Sequence, residues 1–231
     1  MQQLTAGANL VLAQPQCQIK IKTALPAHID LDVSAYLLNA QNKVRGDADM
    51  IFYGQKHTLN RSVELIEANG KTPYLAQFNL NTQLLDLELN KIALCATIDG
   101  QSAINALQNI EVELWQNGQL SATAIVNSAE KTEKALILAE VYRYKDQWKF
   151  RFVNQGFNGG LKPLSEYFGV EIIDQPNTPP PPPVATPPQS KINLSKITLD
   201  KGNSRINLTK QTQGFGEIKI NLNWNQRSIQ P

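Results

Sequence analysis

The spacing of the turn signals constrains this chain most, because they recur about every ten residues through the first 174 positions. Asn117-Gly118 is the strongest of them, since Asn-Gly is typical of a two-residue β-hairpin turn. Short apolar or alternating runs lie between the turns, and Gln16–Thr23 is the clearest of these. About ten short strands with little helix predict an all-β fold, an antiparallel β-sandwich of two packed sheets with one or two short helices.

One predicted hairpin is rich in aromatic residues. Ala135–Arg143 is dense in β-prone residues, and a turn separates it from a second run, Trp148–Val153. In that second run three aromatic rings alternate with Lys149 and Arg151, which predicts a core face and a solvated cationic face. This separation of rings from cations argues against a nucleic-acid platform, so no nucleic-acid partner is expected.

Few segments favour helix or loop. Leu161–Phe168 is predicted to be a short helix, with Pro163 in its first turn and Gly169 ending it. A second short helix is predicted over Ser102–Asn109, with Ser102 as its cap. Residues 1–14 are predicted to be a loop that leads into the first strand.

The composition changes at residue 175. Residues 175–190 (QPNTPPPPPVATPPQS) contain five consecutive prolines, which predict a semi-rigid polyproline II linker after a β-sandwich domain over residues 1–174. Residues 191–231 return to strand-like alternation, but about forty residues are too few to close a core. We expect this strand-rich tail to need a partner surface, to be disordered, or to begin a second domain.

Charge and cysteine content limit where this protein is expected to be located and which partners it is expected to bind. Residues 1–190 carry 15 Lys and Arg against 18 Asp and Glu, whereas residues 191–231 carry 7 against 2. Such a basic tail suits nucleic acid, anionic lipid or an acidic partner, and a solvated tail is the simplest interpretation. Cys17 and Cys95 lack metal-ligand or disulfide spacing, and no signal peptide is evident, so a cytoplasmic protein with buried thiols is expected.

Two pairs of aspartates are the predicted metal ligands. Asp30 and Asp32 precede or begin one predicted strand, and Asp47 and Asp49 precede another. Residues i and i+2 of a strand share a face, so each pair offers two hard oxygens to one cation such as calcium. If both strand ends meet at one rim, four carboxylates converge. The alternative is a set of ordinary turn aspartates satisfied by backbone N–H groups or water.

Other chemistry has weaker support in the sequence. His28 and His57 have no nucleophile elbow nearby, which predicts structural or surface roles and no enzymatic activity. The glycine-rich run 156–160 before the predicted helix lacks a Walker lysine pattern, so turn glycines are favoured over phosphate binding. Thiol chemistry at the two cysteines is disfavoured because both lie in apolar strand patterns.

Two long segments resemble a known family. GDADMIFYGQ (Gly46–Gln55), with the preceding DLDVSAYLLNAQNKVR, and EVYRYKDQWKFRFVNQGFNGGLKPLSEYFGVEI (Glu140–Ile172) are similar to the tellurium-resistance TerD superfamily. The proline linker and the tail KINLSKITLDKGNSRINLTKQ…IKINLNWN resemble its TerA-like branch. In that branch the tail is similar to the opening strands of a second TerD-type domain.

The resemblance implies a fold and a role. It implies a two-sheet β-sandwich in a cytoplasmic, non-enzymatic scaffold protein tied to tellurite resistance and to general stress, phage and colicin tolerance. It also implies metal binding, partnership with other tellurium-resistance proteins, and assembly at the inner face of the membrane. Tail residues with unpaired strand edges are expected to pair with a strand of a partner.

The calcium loop expected from the resemblance is altered in this chain. Members that bind calcium carry S-x-DGSV and then an acidic run, whereas this chain has Thr58–Val63 (TLNRSV) and Glu67–Pro73 (EANGKTP). The Asp-Gly step is replaced by Asn60-Arg61, and the acidic run by a segment that contains Lys71. At least two expected carboxylates are thus lost and two cations are gained. Tight calcium binding is therefore not expected, and a weak site at the four aspartates is the remaining alternative. A calcium-dependent membrane-surface adaptor and a thiol-based tellurite-handling protein are the two rival functions.

Overall fold

The computed structural model describes residues 1–68 and 74–170. These residues form twelve strands, one α-helix and three short 3-10 turns at Asp47–Asp49, Ile104–Ala106 and Ser128–Glu130. In chain order the elements are β1 (Gln2–Leu4), β2 (Asn9–Val11), β3 (Gln16–Lys22), β4 (Leu31–Leu38), β5 (Met50–Ile51), β6 (Val63–Glu67), β7 (Ala76–Asn81), β8 (Lys91–Ile98), β9 (Ile110–Gln116), β10 (Gln119–Val126), β11 (Ala135–Tyr144), β12 (Gln147–Phe157) and α1 (Leu161–Tyr167).

The strands form two six-stranded sheets. The first sheet has the order β1-β10-β9-β3-β7-β6, and the second has the order β2-β12-β11-β8-β4-β5. Neighbouring strands are antiparallel except β1 and β10, which pair in parallel. The predicted all-β, two-sheet sandwich is confirmed.

The core lies between the two sheets and follows from the period-2 alternation of the strands. Ile19 and Ile21 of β3 are fully buried in one apolar cluster with Leu94 of β8 and Val141 of β11, so both sheets contribute. The aromatic run behaves as predicted, because Phe150 and Phe152 of β12 join this cluster while the intervening cations point away from it. Alternation therefore fixes which face of each strand becomes the interior.

Helix α1 covers part of the outer face of the second sheet. Leu164 and Phe168 pack there against Tyr36 and Cys95 in a second apolar cluster. The rings of Tyr36 and Phe168 lie 4.7 Å apart between centroids, and the Tyr36 hydroxyl shares a 3.1 Å hydrogen bond with Ser165 Oγ. The predicted helix is thus confirmed, and Gly169 follows its end with φ of +83°, a conformation that favours glycine.

Several local predictions fail for identifiable reasons. Residues 1–14 are not a plain loop, because β1 and β2 add to opposite sheets, and neither three-residue strand is long enough to show alternation. The helix predicted over Ser102–Asn109 reduces to the 3-10 turn Ile104–Ala106, and the residue at its N-cap position is Ala103 rather than the predicted Ser102. The predicted linker and tail, residues 175–231, lie outside the described residues.

The described part of the chain contains no helix that is long and apolar enough to cross a membrane.

Removing the Phe168 side chain tests whether α1 is part of the fold. Phe168 is 1% exposed, so we expect Phe168→Ala to lower the free energy of unfolding by about 3–5 kcal/mol through cavity formation. Leu161 on the same helix is 50% exposed, and Leu161→Ala should cost about 0.5 kcal/mol or less. Urea denaturation of the full chain measures both, and equal effects would show that α1 does not pack as described.

Candidate functional site

One end of the sandwich is built from three loops that are held together. Residues 45–49 follow β4, residues 58–62 precede β6, and residues 84–88 precede β8. The Asn60 side-chain amide donates a 2.6 Å hydrogen bond to the Leu84 carbonyl, which joins the second loop to the third. Arg45 joins the first loop to the third through ion pairs. This end therefore has a defined geometry.

Arg45 is the centre of this end. Its Nε and Nη2 donate to the two carboxylate oxygens of Asp49, each at 2.8 Å, and its backbone N–H donates to Asp49 Oδ2 at 2.9 Å. Nη2 also lies 2.8 Å from Asp86 Oδ2, and Nη1 lies 3.4 Å from Glu88 Oε2. One planar guanidinium thus holds three carboxylates, two of them from a loop some forty residues away.

Burial makes the Arg45–Asp49 pair the strongest part of this group. The Asp49 side chain is 6% exposed and the Arg45 side chain 32% exposed, whereas Asp86 and Glu88 are mostly in solvent. The hydrogen bonds to Asp49 raise the pKa of Arg45 above its ordinary value. Removing the cation from a bidentate ion pair with one buried partner is strongly destabilising, because the buried carboxylate is then left unpaired.

The loop that the resemblance identifies with calcium binding lies beside Arg45. Its oxygens are used within the loop: Asn60 Oδ1 accepts from the Ser62 backbone N–H at 3.1 Å, and Thr58 Oγ1 shares a 3.0 Å hydrogen bond with Ser62 Oγ. Arg61 has φ of +53°, the left-handed region that favours the glycine of calcium-binding members. Its guanidinium pairs with Glu64 at 2.8 Å.

The four predicted ligands do not converge. Asp49 belongs to the Arg45 cluster, but Asp30 and Asp32 lie at the other end of β4, where Asp32 is paired with Thr97. Because Met50 is paired with Tyr36, the two aspartate pairs are separated by roughly 13 Å along β4. The condition for convergence, that both strand ends meet at one rim, is therefore not met, since β5 pairs with the far half of β4.

The far end holds a second acidic pocket. Asp32 and Asp99 line it together with Lys134 and the glycines that precede α1. Burial and the nearby carboxylates, led by Asp30, raise the pKa of Asp32. These carboxylates oppose a phosphate at the glycine run, in agreement with the turn interpretation of that run.

The calcium expected from the resemblance does not fit the described residues. They contain no group of three or more His, Cys, Asp and Glu side chains arranged to hold a metal ion. At the Arg45 end a guanidinium already pairs with three carboxylates, and the loop oxygens have partners of their own. The acidic run of the family falls partly on residues 69–73, outside the described residues. Weak binding at the predicted aspartates stays a prediction.

The two thiols are buried on different faces. Cys17 is 4% exposed in the core between the sheets, and Cys95 is fully buried beneath α1. Burial raises the pKa of Cys17 to about 12 and that of Cys95 well above its ordinary value. Neither thiol is available as a thiolate near neutral pH, which weakens the thiol-based hypothesis.

The sequence did not indicate the partners of the cations on β12. Lys149 and Arg151 do leave the core, as predicted, but tyrosines of β11 share their face. Arg151 lies 4.9 Å from the Tyr142 ring centroid, and Lys149 lies 4.6 Å from that of Tyr144. Alternation within one strand cannot reveal this pairing, because it depends on the register between two strands.

Replacing Arg45 tests its role. Arg45→Met removes the partner of a buried carboxylate, so we expect a loss of about 3 kcal/mol in the free energy of unfolding. Arg61→Met removes a more exposed guanidinium from a neighbouring ion pair and should cost at most about 1 kcal/mol. Urea denaturation compares the two variants, and a loss at Arg45 no greater than at Arg61 would contradict the described cluster.

Thiol titration tests the burial of the cysteines. With Ellman's reagent at pH 8, we expect the native chain to react far more slowly than the same chain in concentrated urea. The reason is that both thiols are buried and their raised pKa values leave almost no thiolate. Cys95→Ala isolates Cys17, and rapid reaction of either thiol in the native protein would contradict the structure.

A known protein family matches nearly all of the domain that the structure describes. The TerD domain family model matches residues 2–168. Tellurium resistance protein TerA of Alcaligenes sp. is 40% identical over 152 residues, which cover 66% of this chain and 43% of that protein. The chain therefore matches less than half the length of this relative.

Two further relatives are matched over a larger share of their own length. Tellurium resistance protein TerD of Serratia marcescens is 31% identical, covering 61% of this chain and 78% of that protein. General stress protein 16U of Bacillus subtilis is 27% identical, covering 62% of this chain and 79% of that protein.

A solved structure shows the same fold. It is that of a homologue of the telluride resistance protein TerD from Streptomyces coelicolor A3(2), with a TM-score of 0.53 at 14% identity, covering 65% of this chain and 94% of that one. Sheet arrangement, family match and relatives agree with the resemblance drawn from the sequence. The chain belongs to the TerD domain family.

Proposed function

We propose that this protein is a non-enzymatic binding and scaffold component of bacterial tellurite resistance and the general stress response. The relatives named for tellurium resistance and for general stress support the role. The single observation that carries the scaffold assignment is the set of internal contacts of Arg45 and Asn60, which together fix three loops. Fixed loops favour binding because little conformational entropy is lost when a partner docks.

The chemistry of the described side chains also favours binding over catalysis. The thiols are buried with raised pKa values, and His28 and His57 are exposed on separate loops. The carboxylates of the Arg45 cluster hold a guanidinium, so they are poorly suited to act as bases. A general acid–base or nucleophilic group normally faces a substrate site with a tuned pKa.

Partners and location extend this proposal. Other tellurium-resistance proteins are the proposed partners, in a cytoplasmic assembly that reaches the inner face of the membrane indirectly. The strand-patterned residues 191–231 would pair with a strand of a partner, the mode known as β-augmentation. Nucleic acid is not proposed as a partner.

The calcium-dependent membrane adaptor is the rival function. The carboxylates of Asp30, Asp32 and Asp99 near one end are the observation in its favour. Isothermal calorimetry of the full chain with calcium separates the two functions: the scaffold proposal expects no saturable heat at millimolar calcium. Saturable heat that Asp30→Asn abolishes would replace it with the adaptor.

Tellurite tolerance tests the proposal in cells. We expect cells that depend on this protein to keep full tolerance with the Cys17→Ala/Cys95→Ala variant, because the thiols take no part in the proposed role. Arg45→Met should lower tolerance at equal protein abundance, since it loosens the loops that would hold a partner. Immunoblots provide the abundance control. Tolerance lost with the cysteine variant and kept with Arg45→Met would refute the scaffold role.

A further inference from the structure

Exposed leucines mark the Arg45 end of the sandwich. Leu59 is fully exposed and Leu87 is 84% exposed, more than any other large apolar side chain of the described residues except the terminal Met1. Leu84, whose carbonyl accepts the hydrogen bond from Asn60, is 46% exposed. Single exposed leucines are ordinary, but these three project from loops that Arg45 and Asn60 hold together. We call this surface the leucine rim.

The leucine rim is acidic. Two of the three loops at this end, residues 45–49 and 84–88, carry four carboxylates and one guanidinium, which gives them a net charge of −3. In the remaining loop the charge of Arg61 is cancelled by Glu64. Glu88 is the most exposed of the carboxylates paired with Arg45, with a side chain 77% in solvent.

A basic surface adjoins the rim at the same end of the molecule. The Arg143 backbone N–H donates to the Asn90 carbonyl at 2.8 Å, so the tip of the β11–β12 hairpin contacts the segment that follows the rim. We call residues 143–149 the basic hairpin. It carries three cations and one carboxylate, Asp146, which leaves a net charge of +2. All three cations lie near aromatic rings: Arg143 near Trp148, and Lys145 and Lys149 near Tyr144, with cation-to-centroid distances of 5.1, 5.6 and 4.6 Å.

An acidic apolar surface beside a basic aromatic one is complementary to itself after a two-fold rotation. The rim of one molecule can then meet the basic hairpin of the other, and the reverse contact forms at the same time. This is the defining property of an isologous interface. Tyrosine, tryptophan and arginine on the hairpin are also the side chains that are enriched at protein interfaces.

We propose that the leucine rim and the basic hairpin together form a docking surface for a second copy of this chain. The leucines would supply the dry centre of the contact, and opposite charges would set its orientation. This docking surface rests on the proposed scaffold function and names a partner for it. Its test measures self-association and no tellurite phenotype, so the dimer and the scaffold function can each fail without the other.

An anionic membrane is the rival occupant, because basic hairpins attract such lipids. The acidic rim argues against it, since a bilayer covering this end would also meet a net charge of −3 next to the leucines. A second copy satisfies both signs of charge at once. The charge pattern therefore favours the protein partner.

Sedimentation velocity of the full chain at rising concentration tests the proposal. We expect a monomer–dimer equilibrium that weakens at high salt, because exposed charges are screened. Glu88→Lys alone and Lys145→Glu alone should each raise the dissociation constant at least about tenfold, which corresponds to about 1.4 kcal/mol. Mixing the two variants should restore a heterodimer, because each introduced charge then faces its opposite.

Controls separate the surface from general effects of charge. Glu166→Lys places the same charge change on an exposed residue of α1, outside the surface, and should leave the dimer unchanged. Leu59→Ser should weaken the dimer without altering the melting temperature, since that side chain is fully exposed. A chain that stays monomeric at low salt, a dimer insensitive to both charge variants, or a monomer that sediments with phosphatidylserine vesicles would each overturn the proposal.

Discussion

The packing of the two inner sheet faces is the constraint on which the rest of this structure depends. Side chains of alternate residues fill the space between the sheets, as Ile19 and Leu94 do from opposite sides. Burying each such side chain contributes about 1.5–3 kcal/mol, so a slip of one residue in any strand would be strongly unfavourable. With registers fixed, the strand ends and the loops that join them have fixed places.

A feature of this structure could be predicted from the sequence only where its signal is local. Alternation, turn residues and helix-end residues are local signals, so the strands, the two-sheet fold, the Asn117-Gly118 turn and the helix over α1 could be predicted from them. Contacts between distant segments carry no such signal. Asp86 lies in a segment, Leu84–Leu89, whose pattern is ambiguous between helix and strand, and nothing in its spacing points to Arg45. Whether the four aspartates share one rim could not be predicted for the same reason, since the position of β5 along β4 is a matter of register.

Arg45 gives the loop end a permanent internal cation. A bound divalent ion can leave, and loops that depend on it would then loosen, whereas a guanidinium on the chain stays in place at any calcium concentration. The carboxylates of Asp49 and Asp86 are thereby paired with a cation of the chain itself. An end that is held by a cation of the chain itself suits a constitutive binding surface better than a calcium switch. It also presents the leucines of the rim in one arrangement.

Nuclear magnetic resonance tests this internal-cation account most directly. In ¹⁵N-labelled full chain, the Arg45 Nε–Hε signal should be protected from exchange and unmoved when calcium is added to millimolar concentration in place of a chelator. The backbone signals of residues 45–49, 58–62 and 84–88 should likewise stay unchanged. Saturable calcium-dependent shifts in these loops, with release of the Arg45 signal, would show that a metal ion rather than the guanidinium organises this end.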